Sequence, residues 1–366
     1  MQLKSLLKSD PELRSYLLGT FSRSHVAIPL PSLNSHLPSV SEPSEYVFQI
    51  RERAGGLSLR RLLHLLKIKL WIWSLFPLSL MFLQWNLSGQ SVGWVSAALA
   101  VLSVLCLQTS AQLWNDFRDH MVGFDHVHPL RGEKPILQAW VTAVEVRRWA
   151  RIWLLLGLGL ASPLIHQAWL RDLSQSLFLG GLSLGALFVF GFSRMGWRFS
   201  RSAELLSWAL FGPLLTGSFE WALQGTLSWQ SFRIGFFSGT LAFFSLQVRN
   251  FEFLLDLSRA GFTNWMTRLG FDRSRKTLFF LWIFSLFLGL GVIWHEALQV
   301  WIPAFIPYAL VLSLSIRRKV GALNSSVGSA LQDFCKGSRR LSLHLMLFIF
   351  LVHILEWLLI WNTGQV

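Results

Sequence analysis

Carboxylates are scarce in this sequence. Of 366 residues, 19 are Asp or Glu against 33 Lys or Arg, and charged residues of both signs make up only 14%. Cysteine is scarcer, with two residues: Cys106 inside an apolar run and Cys335 in a basic stretch, too few to found a disulfide framework. A cleavable signal peptide is not expected, because the first long apolar run begins only near Leu70. Apolar residues are abundant. They make up 52% of the chain, with 30 Phe and 19 Trp, more large apolar side chains than a soluble core of this size needs. They fall in repeated runs of about 18–22 residues, a match to the ~30 Å hydrocarbon core of a bilayer. The expected fold class is therefore all-α: a polytopic membrane protein.

Nine spans are predicted, at 70–87, 92–113, 149–169, 174–193, 204–222, 232–249, 277–296, 299–316 and 342–361. The weakest is 204–222, which Glu204 opens and Phe211, Gly212 and Pro213 interrupt. With nine spans the loops alternate, and all Lys and Arg except Arg171 and Arg233 fall on one side. That asymmetry predicts a cytoplasmic N-terminus and an outer C-terminus. It also accounts for the net charge of +14 as a topology signal, with some attraction to anionic lipid and no call for nucleic acid. Residues 1–56 read as a polar cytoplasmic extension, too short to bury much core. Residues 57–69 read as an amphipathic helix at the membrane surface, opening the nine-helix domain expected over 57–366.

The informative stretch is QLWNDFRDHMVGFDHVHPLRGEKPI, residues 113–137, which follows the second predicted span. On a helix, Asp116 and Asp119 share a face, with Asn115 one turn from Asp119. Gly123 permits a left-handed turn that could bring Asp125 back toward them. Two readings stay open from these residues. They are solvated carboxylates at a helix end, or they are acids that converge on a hard cation such as Mg²⁺, with Arg118, Arg131 and Lys134 near enough to hold phosphate oxygens. Taken alone, Arg131, Lys134 and Arg198 each read as positive-inside anchors.

The segment NDFRDHMVGFD (115–125) resembles the first aspartate motif of the UbiA superfamily of intramembrane prenyltransferases, and its Gly123–x–Asp125 ending resembles the branch that prenylates 1,4-dihydroxy-2-naphthoate in menaquinone synthesis. Residues 132–148 resemble the family's basic–proline loop, and 203–229 resemble the naphthoate branch, Glu204 included. Residues 260–270 resemble the segment that closes the second aspartate motif. That second motif departs from the family: aligned without a gap its acidic positions become Phe253 and Leu257, and a one-residue shift makes them Glu252 and Asp256, four apart on one helical face. The shifted register is preferred here, the alternative being a real loss of the second metal site. Near span four, FGFSRMGWRFSR (190–201) carries Phe where the family often has Tyr, and Arg198 stands where the naphthoate branch has a Lys.

The resemblance implies an Mg²⁺-dependent transfer of a polyprenyl group from a polyprenyl diphosphate to a small aromatic acceptor. It further implies a central apolar cavity among nine helices in a bacterial inner membrane, with the site facing the cytoplasm. Under it, Asp116, Asp119 and Asp125 hold the metal and Asn115 orients them. Glu252 and Asp256 serve a second metal or the acceptor, while Arg131, Lys134 and Arg198 hold diphosphate. Glu204 is expected to orient a basic partner. The rival expectations are a different acceptor, a catalytically silent relative that binds lipid or assists membrane assembly, and a transporter. The last ranks lowest, because the charges gather at one face.

Overall fold

The computed structural model describes residues 2–22, 24–30, 45–53, 58–121, 134–177, 180–181, 184–185, 201–259, 263–294, 296–323 and 329–363. The expectations placed on Gly123, Asp125, Arg131 and Arg198 lie outside them.

Residues 2–52 depart from the all-α expectation. Strands β1 (Gln2–Leu7), β2 (His25–Pro29) and β3 (Glu45–Glu52) form an antiparallel sheet in the order β1-β3-β2. The helix α1 (Leu13–Leu18) ends on Gly19 in the left-handed conformation, φ 71°. The alternation in EYVFQIRE puts Tyr46 and Phe48 on one face of the central strand, where aromatic side chains pack well. Leu6, Leu13, Leu17 and Ala27 close over them in a small core. The segment buries a core because it borrows from the rest of the chain: Met121 packs against that cluster, and Ala139 packs with Val26 and Ile28.

The remainder is helical. After α2 (Leu59–Leu65), capped by Ser58, the chain turns at Lys67 (φ 51°). It then enters α3 (Ile72–Leu87) and α4 (Trp94–Met121). Only part of the predicted amphipathic face, Leu59, Leu62, Leu63 and Leu66, meets the protein: Leu66 is buried and Leu62 packs on a buried cluster, whereas Leu59 and Leu63 are exposed. Next come α5 (Ala143–Arg171), α6 (Arg201–Leu210), α7 (Pro213–Gln224) and α8 (Trp229–Glu252). The chain finishes with α9 (Leu254–Arg259), α10 (Trp265–Ile293), α11 (Ile302–Gly321) and α12 (Ser329–Thr363). Among the described residues, five stretches are long and apolar enough to cross a membrane: α4, α5, α10, Leu298–Gly321 and Ser329–Asn362. Their outward faces expose large apolar side chains, among them Leu155, Phe280, Phe284, Phe287, Val311, Leu347 and Leu351. In water such a surface would be a liability, and in lipid it is the expected exterior. The chain is an integral membrane protein.

The nine-span count differs from this tally for physical reasons. α3 has 16 residues, short for a full crossing. The predicted 204–222 span is broken into α6 and α7 at Phe211–Gly212–Pro213, where the sequence placed its interruption. α8 is long enough, at 24 residues, but packs against α3, α6, α7, α10 and α12. Ile234, Phe237, Leu241, Phe244, Val248 and Phe251 on it are fully buried, so it faces protein and tolerates Gln247 and Asn250. Most of the predicted 174–193 span lies outside the described residues.

Helices α4 and α5 form the most extensive helix pair, and small residues let them approach. Ser103 Oγ donates to the Gly157 carbonyl at 2.8 Å and Ser110 Oγ to the Ala150 carbonyl at 2.7 Å. The break between α6 and α7 nests on α8 just as closely. A Cβ on Gly212 would lie 2.5 Å from the Gly235 carbonyl oxygen and 2.8 Å from Gly239 Cα. Gly212→Ala is therefore expected to destabilise the fold by about 1–3 kcal/mol through overpacking against backbone that cannot yield. A lowered midpoint of thermal unfolding in detergent checks this, and an unchanged midpoint contradicts the packing.

Candidate active site at the end of α4

At 28 residues, α4 is roughly 42 Å long at 1.5 Å per residue, longer than the ~30 Å apolar core of a bilayer. Its last turns carry Asn115, Asp116, Asp119 and His120. Both aspartates are turned into the protein, with Asp116 4% and Asp119 5% exposed. The solvated-carboxylate reading fails for this pair.

A buried carboxylate needs a counter-charge, and each has one. Lys67 Nζ lies 2.6 Å from Asp116 Oδ1, and Lys134 Nζ lies 3.2 Å from Asp119 Oδ2. Lys67 reaches the site because the left-handed turn after α2 swings it toward α4. In the sequence Lys67 is one residue of the 57–69 segment that reads as a surface helix. Its one visible signal was a basic residue a few positions before the first apolar run. Lys134 meets the aspartate that the resemblance assigned to the same site.

The remaining oxygens bear on the metal. Asp116 Oδ2, Asn115 Oδ1 and Gln112 Oε1 are buried and accept no hydrogen bond among the described residues. Three unmatched oxygen acceptors within five residues of one helix are the donor type a hard divalent cation prefers. The residues present thus fit Mg²⁺ by chemistry. Among the described residues no three His, Cys, Asp or Glu side chains stand together as a metal-binding group.

One helical turn from Asp116, Gln112 lines a cavity of about 460 Å³ bordered by α3, α4, α5, α6, α7 and residues Ser176, Leu177, Gly180, Gly181 and Leu184. Its walls are mostly apolar, with Leu107, Leu164, Phe211, Phe219 and Trp221 among them. The few polar walls are largely committed: Ser74 Oγ donates to Gln108 Oε1 at 2.8 Å, and Gln108 Nε2 donates to the Leu70 carbonyl at 2.8 Å. These bonds also fix the start of α3 against α4.

The second predicted cluster is arranged differently. α8 ends at Glu252, Phe253 takes a turn conformation (φ −105°, ψ 22°), and α9 begins at Leu254. Glu252 and Asp256 therefore do not sit on one continuous helical face. Glu252 is held by Arg339 of α12 at 3.1 Å, and Leu257 is fully buried. Glu204 receives Asn250 Nδ2 at 2.6 Å and the backbone N–H of Trp265 at 3.1 Å. Those contacts tie α6, α8 and the first turn of α10.

No protein-family model and no curated protein sequence matches the chain. Solved structures do. A UbiA homolog from Archaeoglobus fulgidus bound to DMAPP and Mg²⁺ is 17% identical with a TM-score of 0.52, covering 79% of this chain and 98% of that one. The same homolog bound to GPP and Mg²⁺ is 16% identical, with the same TM-score and coverage. A digeranylgeranylglyceryl phosphate synthase is 14% identical with a TM-score of 0.51, covering 82% of this chain and 98% of that one. At such identities the likeness is one of fold: the helical body has the architecture of UbiA-type prenyltransferases.

Lys67→Met would leave Asp116 buried without its ammonium. The expected loss is about 1–3 kcal/mol, below the value for a wholly buried pair because Lys67 keeps 26% of its side chain exposed. Thermal unfolding compared with Lys67→Arg checks it, with most of the loss recovered in the arginine variant.

Proposed function

We propose that the chain transfers a polyprenyl group from a polyprenyl diphosphate to an aromatic acceptor, with 1,4-dihydroxy-2-naphthoate as the preferred acceptor. The observation that carries this reading is the pair of buried aspartates, each matched to a lysine, one and two helical turns beyond Gln112 in the wall of an apolar cavity. Support comes from the UbiA-type fold and from relatives of that fold bound to DMAPP or GPP with Mg²⁺. The nine-span topology, with the site facing the cytoplasm of a bacterial inner membrane, belongs to the same proposal and rests on the distribution of Lys and Arg.

Asp116 and Asp119, with Asn115 beside them and Asp125 carried over from the sequence resemblance, would hold Mg²⁺. When bound, the metal supplies positive charge against the leaving diphosphate. The chain itself supplies the rest. Lys67 and Lys134, paired with Asp116 and Asp119, can exchange their carboxylates for diphosphate oxygens. Arg131 and Arg198 are assigned to the same task by resemblance, and Glu252 and Asp256 to the acceptor or a second metal. The apolar walls accept the prenyl tail and keep water from the allylic cation formed when the C–O bond breaks. Phe219, Phe211 and Trp221 are the aromatic residues that line that space. The acceptor ring attacks the cation, and in the naphthoate case the ring carboxyl leaves as CO2.

One observation favours a second reading, a lipid-binding relative without turnover: Glu252 is already engaged by Arg339, and the helix breaks between it and Asp256. Purified protein supplied with Mg²⁺, a polyprenyl diphosphate and a panel of acceptors should form a prenylated naphthoate and release pyrophosphate. Asp116→Ala or Asp119→Ala should lower the rate by about a thousandfold or more, in the range expected when charge stabilisation at a leaving group is lost. Full activity in both variants rejects the metal role. Diphosphate binding without pyrophosphate release, whatever the acceptor, turns the choice to the second reading.

A further inference from the structure

The solved relatives are covered almost completely, at 98%, while a fifth of this chain is left over. Strands β1, β2 and β3 form a sheet whose core is completed by Met121 and Ala139, and that sheet packs on the two segments that bring Asp119 and Lys134 together. On the first segment, His120 follows Asp119 directly, is 1% exposed, and its Nε2 lies 2.8 Å from the Leu17 carbonyl of α1. Met121 inserts beside Tyr46 and Phe48. On the second segment, Ala139 packs between Val26 and Ile28, five residues beyond Lys134. The start of α5 is clamped as well. Gly19 sits so close to Thr142 that a Cβ would lie 2.9 Å from the threonine's own, and Arg53 pairs with Glu145 of the Thr142 capping box.

We propose that the N-terminal sheet is a working part of the site: a clamp that fixes the last turn of α4 against residues 134–142, with His120 as its positioning residue. It rests on the prenyl-transfer reading for what the site binds. The physical argument is one of local stability. The end of a helix frays unless its final turn is held, and a carboxylate that must meet one particular ammonium tolerates little fraying. The Leu17 carbonyl holds the turn through a hydrogen bond to His120, and the cluster around Tyr46 and Phe48 holds it by packing on Met121, both partners lying outside the helical body. The clamp sets affinity for the diphosphate head and leaves the acceptor end of the cavity alone.

The test uses full-length protein in lipid nanodiscs, with hydrogen exchange and binding of geranyl diphosphate plus Mg²⁺ as separate readouts. His120→Phe removes the donor to Leu17, His120→Gln restores one, and Arg53→Glu breaks the distant ion pair on the surface. In His120→Phe and Arg53→Glu, exchange over 115–121 and 134–140 is expected to rise about tenfold or more while α10 stays protected. Geranyl diphosphate binding should weaken about tenfold, the scale of one lost positioning contact, and His120→Gln should recover both readouts. Unchanged exchange in the two segments overturns the clamp, and faster exchange with undiminished binding overturns its service to the site. Failure of the wild type to bind geranyl diphosphate at all would count against the prenyl-transfer reading, and exchange would still decide whether the sheet holds α4.

Discussion

Burying a carboxylate in a protein that sits in lipid requires a cation or hydrogen-bond donors beside it, and for Asp116 and Asp119 the partners are lysines, a constraint that organises one whole end of the molecule. Asp116 is met by Lys67 at a left-handed turn that precedes α3. Asp119 obliges the segment after α4 to return with Lys134. Both pairs sit on the overhang of a helix longer than the bilayer is thick, so the charges gather at the rim while the wall below stays apolar. A diphosphate carrying a greasy tail has the same division, charge at one end and hydrocarbon at the other.

The rest of the bundle is built so that this rim has something rigid to stand on. α3 and α4 are pinned by the Ser74–Gln108 bond and by Trp71 donating to Thr109 at 3.0 Å. α4 and α5 close on small residues at Gly157 and Ala150. On the far side, Glu204 ties three helices, and the Gly212 break lies against Gly235 and Gly239 of α8. Glycine and buried polar groups here serve close approach and cross-helix bonding, which in lipid replace much of the hydrophobic drive available in water.

What could be read in the sequence was what depends on local spacing. The three- and four-residue intervals among Asn115, Asp116 and Asp119 set their shared face, and the Phe-Gly-Pro run announced the break between α6 and α7. What could not be read was what depends on long-range approach. Lys67 meets Asp116 only because of a backbone turn that no propensity specifies. Glu252 turned to Arg339, 87 residues away, and Glu204 to Asn250 and the start of α10. The N-terminal sheet was missed for another reason. Its alternating strand EYVFQIRE is plain, but the segment is too small to close a core, and the apolar groups that complete it lie near residues 121 and 139.

The position of α8 has a consequence for how the protein is made. The helix has its polar residues near both ends, Gln230 and Arg233 in the first turns and Gln247, Arg249 and Asn250 in the last, and its side chains are largely taken up by protein: Asn250 bonds to Glu204, and α7 and α10 cover its apolar face. Such a helix is expected to settle in the bilayer together with α7 and α10 and not alone, since protein neighbours suit it better than lipid.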